Sequence, residues 1–254
     1  MLLIPNDIKK ANCAGAPVTF KWDEELSSKF AFDEELNVRM AKTFNKTNYR
    51  TNITLVVCIF EWFVRRFEGV LDLTDVYLRL EAAWASAINP YYLNETEFEE
   101  YTYSDSLPPP SDDVLTVGIS RIWKPLRLYM GAGIGLAGEC VNLALLTHHV
   151  MSNPTAFDNW FEVALRKGAA TFPREVENYD FEADFYDFTV ENIVPREFFF
   201  DPNFEYSDEA TMSVLQQFLD SLDPKNNPYL RTADEMKANG YTRTPYKILD
   251  LRKG

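Results

Sequence analysis

Gly133-Ile134-Gly135-Leu136-Ala137-Gly138 spells G-x-G-x-x-G. With this spacing a dinucleotide-binding unit turns tightly out of a strand and aims a helix N-terminus at a pyrophosphate. That chemistry requires a buried strand before the first glycine and further strand–helix–strand units after the last. Only the short run Arg127-Leu128-Tyr129-Met130 precedes it and helical spacing follows, so no nucleotide cofactor is assigned. Gly131, Gly135 and Gly138 fall at steps of four and three, which suits close helix packing or a glycine turn.

His148 and His149 are the only imidazoles. Neighbours on a helix point about 100° apart, and no H-E-x-x-H surrounds them, so they do not converge on one metal. One could act as a general base, or cap the last carbonyls of a helix. Cys140 lies eight residues from His148, about 12 Å along a helix, which is too far for a thiolate pair. Glu139 sits in a Gly/Ala-rich apolar run, where a carboxylate must be paired or have its pKa raised; an arginine of a neighbouring helix is the expected partner. Glu61 has Arg65 four residues on. No G-x-S-x-G, Walker A, EF-hand or zinc spacing is present. The sequence therefore nominates no catalytic, metal or cofactor residues.

Charge is the stronger signal. The 254 residues carry 25 Lys+Arg against 39 Asp+Glu, a net charge of −14. Such a balance repels nucleic acid and anionic lipid and attracts basic proteins. Residues 175–223 hold fourteen acids against Arg196 alone, and ten aromatics fall between Tyr179 and Tyr206. Aromatic anchors within a carboxylate field are expected to form a recognition surface, with Glu177, Asp180, Glu182, Asp184, Phe185, Tyr186 and Asp187 at its centre. Glu97, Glu99 and Glu100 form a second patch within an acidic, proline-rich stretch around residues 91–111. The opposite reading makes the rings ordinary core and the acids a solvated face. The tail from Pro224 has seven basic residues and three acids and could fold back onto the acids.

The elements that must position these residues are helical. Ile53, Val56, Val57, Phe60, Val64 and Phe67 recur at steps of three and four, with Asn52 as an N-cap and Gly69 past the end. Thr74–Ile88 follows as an antiparallel partner, stopped by Asn89-Pro90. Ser111 can cap a helix that ends or kinks near Pro125, and a longer helix runs on to Met151. Asn153-Pro154, Ser207 and the capping box Thr232-Ala233-Asp234-Glu235 open three more. Residues 178–204 fit either a short β-hairpin or a helix. Trp62-Phe63 and Trp160-Phe161, each followed by basic residues and a glycine, hint at a duplicated helix-pair unit.

The expected architecture is a single mainly α domain over residues 1–254, with about seven or eight helices stacked as antiparallel pairs and a short hairpin near 178–204. Three scattered cysteines without a C-x-x-C pair and the lack of a signal-peptide pattern predict a cytoplasmic protein that is neither secreted nor membrane-bound. The expected function is a non-enzymatic acidic binding module that neutralises a basic protein, in the manner of a bacterial immunity protein inhibiting a toxin such as a nuclease. The alternatives are an enzyme with a pocket around Glu139, His148 and His149, and an adaptor or chaperone for a secreted effector.

Overall fold

The computed structural model describes residues 3–32, 38–99, 114–131, 133, 135–175, 179–180 and 185–248. It is mainly helical, with helices packed on helices and almost no strand. At its centre lies α4 (Tyr49–Arg66), in which every residue except Arg50 is buried. A helix buried on all sides, its Glu61, Arg65 and Arg66 included, must be surrounded. Here α5 (Thr74–Ile88), α7 (Val114–Met130), α8 (Leu136–Val150) and α9 (Pro154–Thr171) pack around it. Short connections make the pairs α4/α5, α7/α8 and α8/α9 antiparallel. The short helices α1 (Asn6–Ala11), α2 (Glu24–Phe32), α3 (Val38–Phe44), α6 (Glu95–Glu99), α10 (Glu197–Phe200), α11 (Asp208–Asp220) and α12 (Ala233–Ala238) bring the described helices to twelve. Several run only four to seven residues, too short to show a helical period in sequence.

The local signals for α9, α11 and α12 match their observed starts, and α5 spans Thr74–Ile88 as expected. Asn153 Oδ1 accepts from the Ala156 N–H, Ser207 Oγ from the Ala210 N–H, and Thr232 and Glu235 complete a reciprocal capping box. Two expectations are corrected. The cap of α4 is Asn48, whose side chain accepts from the Thr51 N–H, while Asn52 lies inside the helix and donates to the Phe44 and Thr47 carbonyls. Nor does Pro125 end its helix: α7 runs on to Met130, because Pro125, Leu126 and Tyr129 are buried and their packing outweighs one lost backbone bond. The break comes at the glycines, where Gly135 adopts φ +93° immediately before α8.

Close packing is concentrated at Gly118 of α7. A Cβ there would come within 2.1 Å of the Phe63 ring of α4. By contrast, a Cβ on Gly138, in the first turn of α8, would meet nothing within 4 Å, so no helix packs closely there, while Gly131, Gly133 and Gly135 lie in the α7–α8 connection. Residues 178–204 begin with a minimal antiparallel hairpin, β1 (Tyr179–Asp180) pairing with β2 (Phe185–Tyr186) in the register Tyr179↔Tyr186. Trp62 of α4 and Trp160 of α9 meet with ring centroids 5.4 Å apart. Their glycines differ: Gly69 sits in a turn at φ +75°, whereas Gly168 lies within α9. No described helix is long and apolar enough to cross a membrane.

Candidate functional site

Five rings of the acidic aromatic segment point inward. Tyr186, Phe188, Phe198, Phe199 and Phe200 are all buried. Tyr186 is 1% exposed, so it is corrected from a surface anchor to a core residue. Its hydroxyl donates to the Glu191 carboxylate, and the Arg174 guanidinium lies 4.5 Å from its ring centre. Glu191 also accepts from the backbone N–H groups of Tyr49 (3.1 Å) and Arg50 (2.8 Å), the first residues of α4. A carboxylate there meets unpaired N–H groups and the positive end of the helix dipole. Burial raises the Glu191 pKa, and these hydrogen bonds oppose the rise. Phe188 stacks on Tyr49, and its carbonyl accepts from Arg50 Nε. Residues 186–191 are therefore a clamp on the start of α4.

The acids of the segment divide. From Asp201 onward, Asp201, Glu205, Asp208, Glu209, Asp220 and Asp223 are exposed. Asp187 is half-buried and its carboxylate accepts from Thr189. Glu97 and Glu99 lie on α6, half-buried and exposed respectively. Asp180 and Phe185 are paired through the β-ladder, and Glu177, Glu182, Asp184 and Glu100 lie outside the described residues. The tail returns to the body through Lys247–Asp220 (2.9 Å) and Arg231–Glu95 (3.0 Å), touching the edges of the two acidic regions.

Cations are drawn into the interior instead. Arg65, Arg66, Arg79 and Arg121 are buried, against Glu61 as the single buried acid among the described residues. Arg66 is held by backbone carbonyls: Nε donates to the Val150 carbonyl at the end of α8, and Nη1 and Nη2 donate to the Ala16 and Pro17 carbonyls. Arg79 bonds Asp75, the Phe98 carbonyl and the Tyr229 hydroxyl, with the Tyr229 ring centre 3.9 Å from its guanidinium. Glu61 pairs with Arg65 at 3.7 Å, as its spacing suggests, but its close partner is Arg196.

Glu139, His148 and His149 do not form one pocket. Glu139 pairs with Arg121 of α7 at 3.4 Å, the neighbouring-helix arginine expected from sequence. The ring of His149 packs among Phe20, Trp22 and Phe30, where burial first, then Lys29 and His148, lowers its pKa. His148 points the other way. Its Nδ1 lies 2.8 Å from Asp158 Oδ1 at the rim of a groove of about 440 Å³ between α3, α8 and α9, floored by Phe157, Phe161 and Leu165. Nine residues separate Glu139 from His148, about 13 Å along α8, which keeps them from acting on one atom. Cys58 and Cys140 are buried, and burial pushes both thiols up. Among the described residues no three His, Cys, Asp or Glu side chains are placed to hold a metal.

A second pocket, of about 450 Å³, opens at the α4–α5 turn. Its walls include Leu73, Tyr77, Leu78 and Leu80, and its rim carries Glu68, Asp72 and Glu81. The sequence marks this turn only as the short Gly69–Leu73 connection between two antiparallel helices. Its acids and exposed Val70 and Leu71 were not among the expected site residues, although an apolar pair between two acids is a visible signal. Compared with family models, curated proteins and solved structures, the chain matches none.

Proposed function

We propose that this protein is a non-enzymatic binding module that docks a basic protein and neutralises it by occlusion, in the manner of a bacterial immunity protein acting in the cytoplasm on a cognate toxin such as a nuclease. The single observation that carries this reading is the sorting of charge. Among the described residues the fold buries four arginines against one acid, in a chain whose net charge is −14, so the charge withdrawn from the described surface is mainly positive. Exposed carboxylates from Asp201 to Asp223 contribute to that field. A surface of one sign accelerates and selects an oppositely charged partner.

Affinity capture from the native host, with the wild-type chain and with a Glu97→Gln/Glu205→Gln/Glu209→Gln variant, tests the reading. The expected result is one strongly basic protein that is recovered at about 50 mM salt, lost by about 300 mM, and weakened by the variant. Its activity should fall on binding; an unchanged activity would favour the adaptor alternative. Equal recovery by both chains, or an acidic partner, would overturn the proposal.

A second reading is favoured by the His148–Asp158 pair, since a carboxylate on Nδ1 orients Nε2 as a general base beside an apolar groove. It requires that His148→Ala abolish turnover of an apolar ester while leaving the capture above intact.

A further inference from the structure

We infer that the pocket at the α4–α5 turn receives a lysine or arginine side chain of the basic partner; this rests on the binding reading above and supplies its anchor. The walls Leu73, Leu78 and Leu80 offer an apolar surface for an aliphatic stem. Glu68, Asp72 and Glu81 at the rim offer carboxylates to its cationic head. Arg65 is the one cation lining the pocket; it is buried, and its Nη1 is engaged by Glu68 and by the Tyr77 hydroxyl. The three acids therefore outweigh it.

The rim is held in place rather than free to collapse. Asp72 Oδ1 accepts from the backbone N–H and hydroxyl of Thr74, and Glu81 Oε2 accepts from Asn227 Nδ2 at 3.0 Å. Beside the opening, Val70 and Leu71 are 38% and 39% exposed, two of the few large apolar side chains on the described surface. They can pack against apolar neighbours of the inserted residue. An anion would be repelled by the rim, and a purely apolar ligand would desolvate its carboxylates without compensation. A cation on an aliphatic stem satisfies both surfaces, and the volume lies within the range of side-chain and ligand pockets.

The probe is a synthetic hexapeptide amide, (Leu-Arg)3, titrated into the 15N-labelled full chain, with (Leu-citrulline)3 as its neutral control. Saturable shifts at Gly69 to Leu73 and Tyr77 are expected, with the neutral peptide and an Asp72→Asn/Glu81→Gln variant each binding about tenfold more weakly. Leu71→Gln, at an exposed position that leaves the core untouched, should also weaken binding. Shifts elsewhere or nowhere, equal binding of the citrulline peptide, or variants that bind like wild type would overturn the assignment. If the capture experiment still retrieves a basic partner while these resonances stay silent, only the pocket fails. If wild type captures none, the underlying reading fails with it.

Discussion

Glu61 and Arg196 lie 135 residues apart in sequence and meet fork to fork in the interior, with Arg196 Nε donating to Glu61 Oε2 at 2.7 Å. Glu61 is fully buried, and Arg65 stands behind it at 3.7 Å. The pair fastens the segment before α10 to the middle of the central helix. A second Arg196 nitrogen reaches the Leu3 carbonyl, so the same side chain also ties down the N-terminal strand of chain.

Removing Arg196 strips the close partner from a buried carboxylate and leaves it only the longer Arg65 contact at 3.7 Å. Arg196→Met is expected to destabilise the fold by about 3–5 kcal/mol, whereas Glu61→Leu/Arg196→Met together should cost less than the single change. Chemical denaturation of the four members of this cycle measures the difference. A double variant no more stable than Arg196→Met would show that the charges are not coupled.

His149 gives a pH signature. Its folded pKa is lowered, so the stability it contributes is present above the unfolded pKa near 6.5 and is lost as pH falls through the lower folded value. The wild-type melting temperature should therefore drop relative to His149→Leu between about pH 7 and pH 5. Parallel melting curves across that interval would contradict it.

Gly118→Ala places a methyl group against the Phe63 ring. Overpacking of this kind is expected to cost about 1–3 kcal/mol. Phe63→Leu in the same chain should recover part of the loss, read from urea midpoints. No recovery would mean that the helix backbone, rather than the ring, sets the tolerance.

Glu191→Ala should loosen the start of α4 first, because it strips acceptors from the Tyr49 and Arg50 N–H groups and from the Tyr186 hydroxyl. Hydrogen exchange should accelerate at residues 49–52 and 186–191 before the rest of α4. Uniform acceleration along the helix would instead indicate global destabilisation.

Much of the helical framework was legible because its signals are local. Asn153-Pro154, Ser207 and Thr232 each act within one turn, and Asn89-Pro90 stops α5 at Ile88 as expected. The cap of α4 was misplaced by four residues because Asn48 and Asn52 share a helix face and either side chain could serve. Pro125 misled for a different reason: a local penalty was overridden by core packing that only the assembled helices provide. The acidic aromatic segment was the hardest to read. Composition registers rings and carboxylates together, while the direction each takes depends on α4 and α9, more than a hundred residues and a few tens of residues away respectively. Likewise, the partner of Glu61 that sequence offers is Arg65, and the one that grips it is Arg196.

The carbonyls that hold Arg66 have a practical consequence for anyone trimming this chain to its long helices. A version beginning at Val18 would discard Ala16 and Pro17, two of the three acceptors of that guanidinium, along with Ile8 and Cys13, which are fully enclosed. Water would have to enter where α4 and α8 end in order to solvate the stranded nitrogens. The segment that carries α1 is thus a plug for the helical body, and a shortened version should be recovered poorly folded.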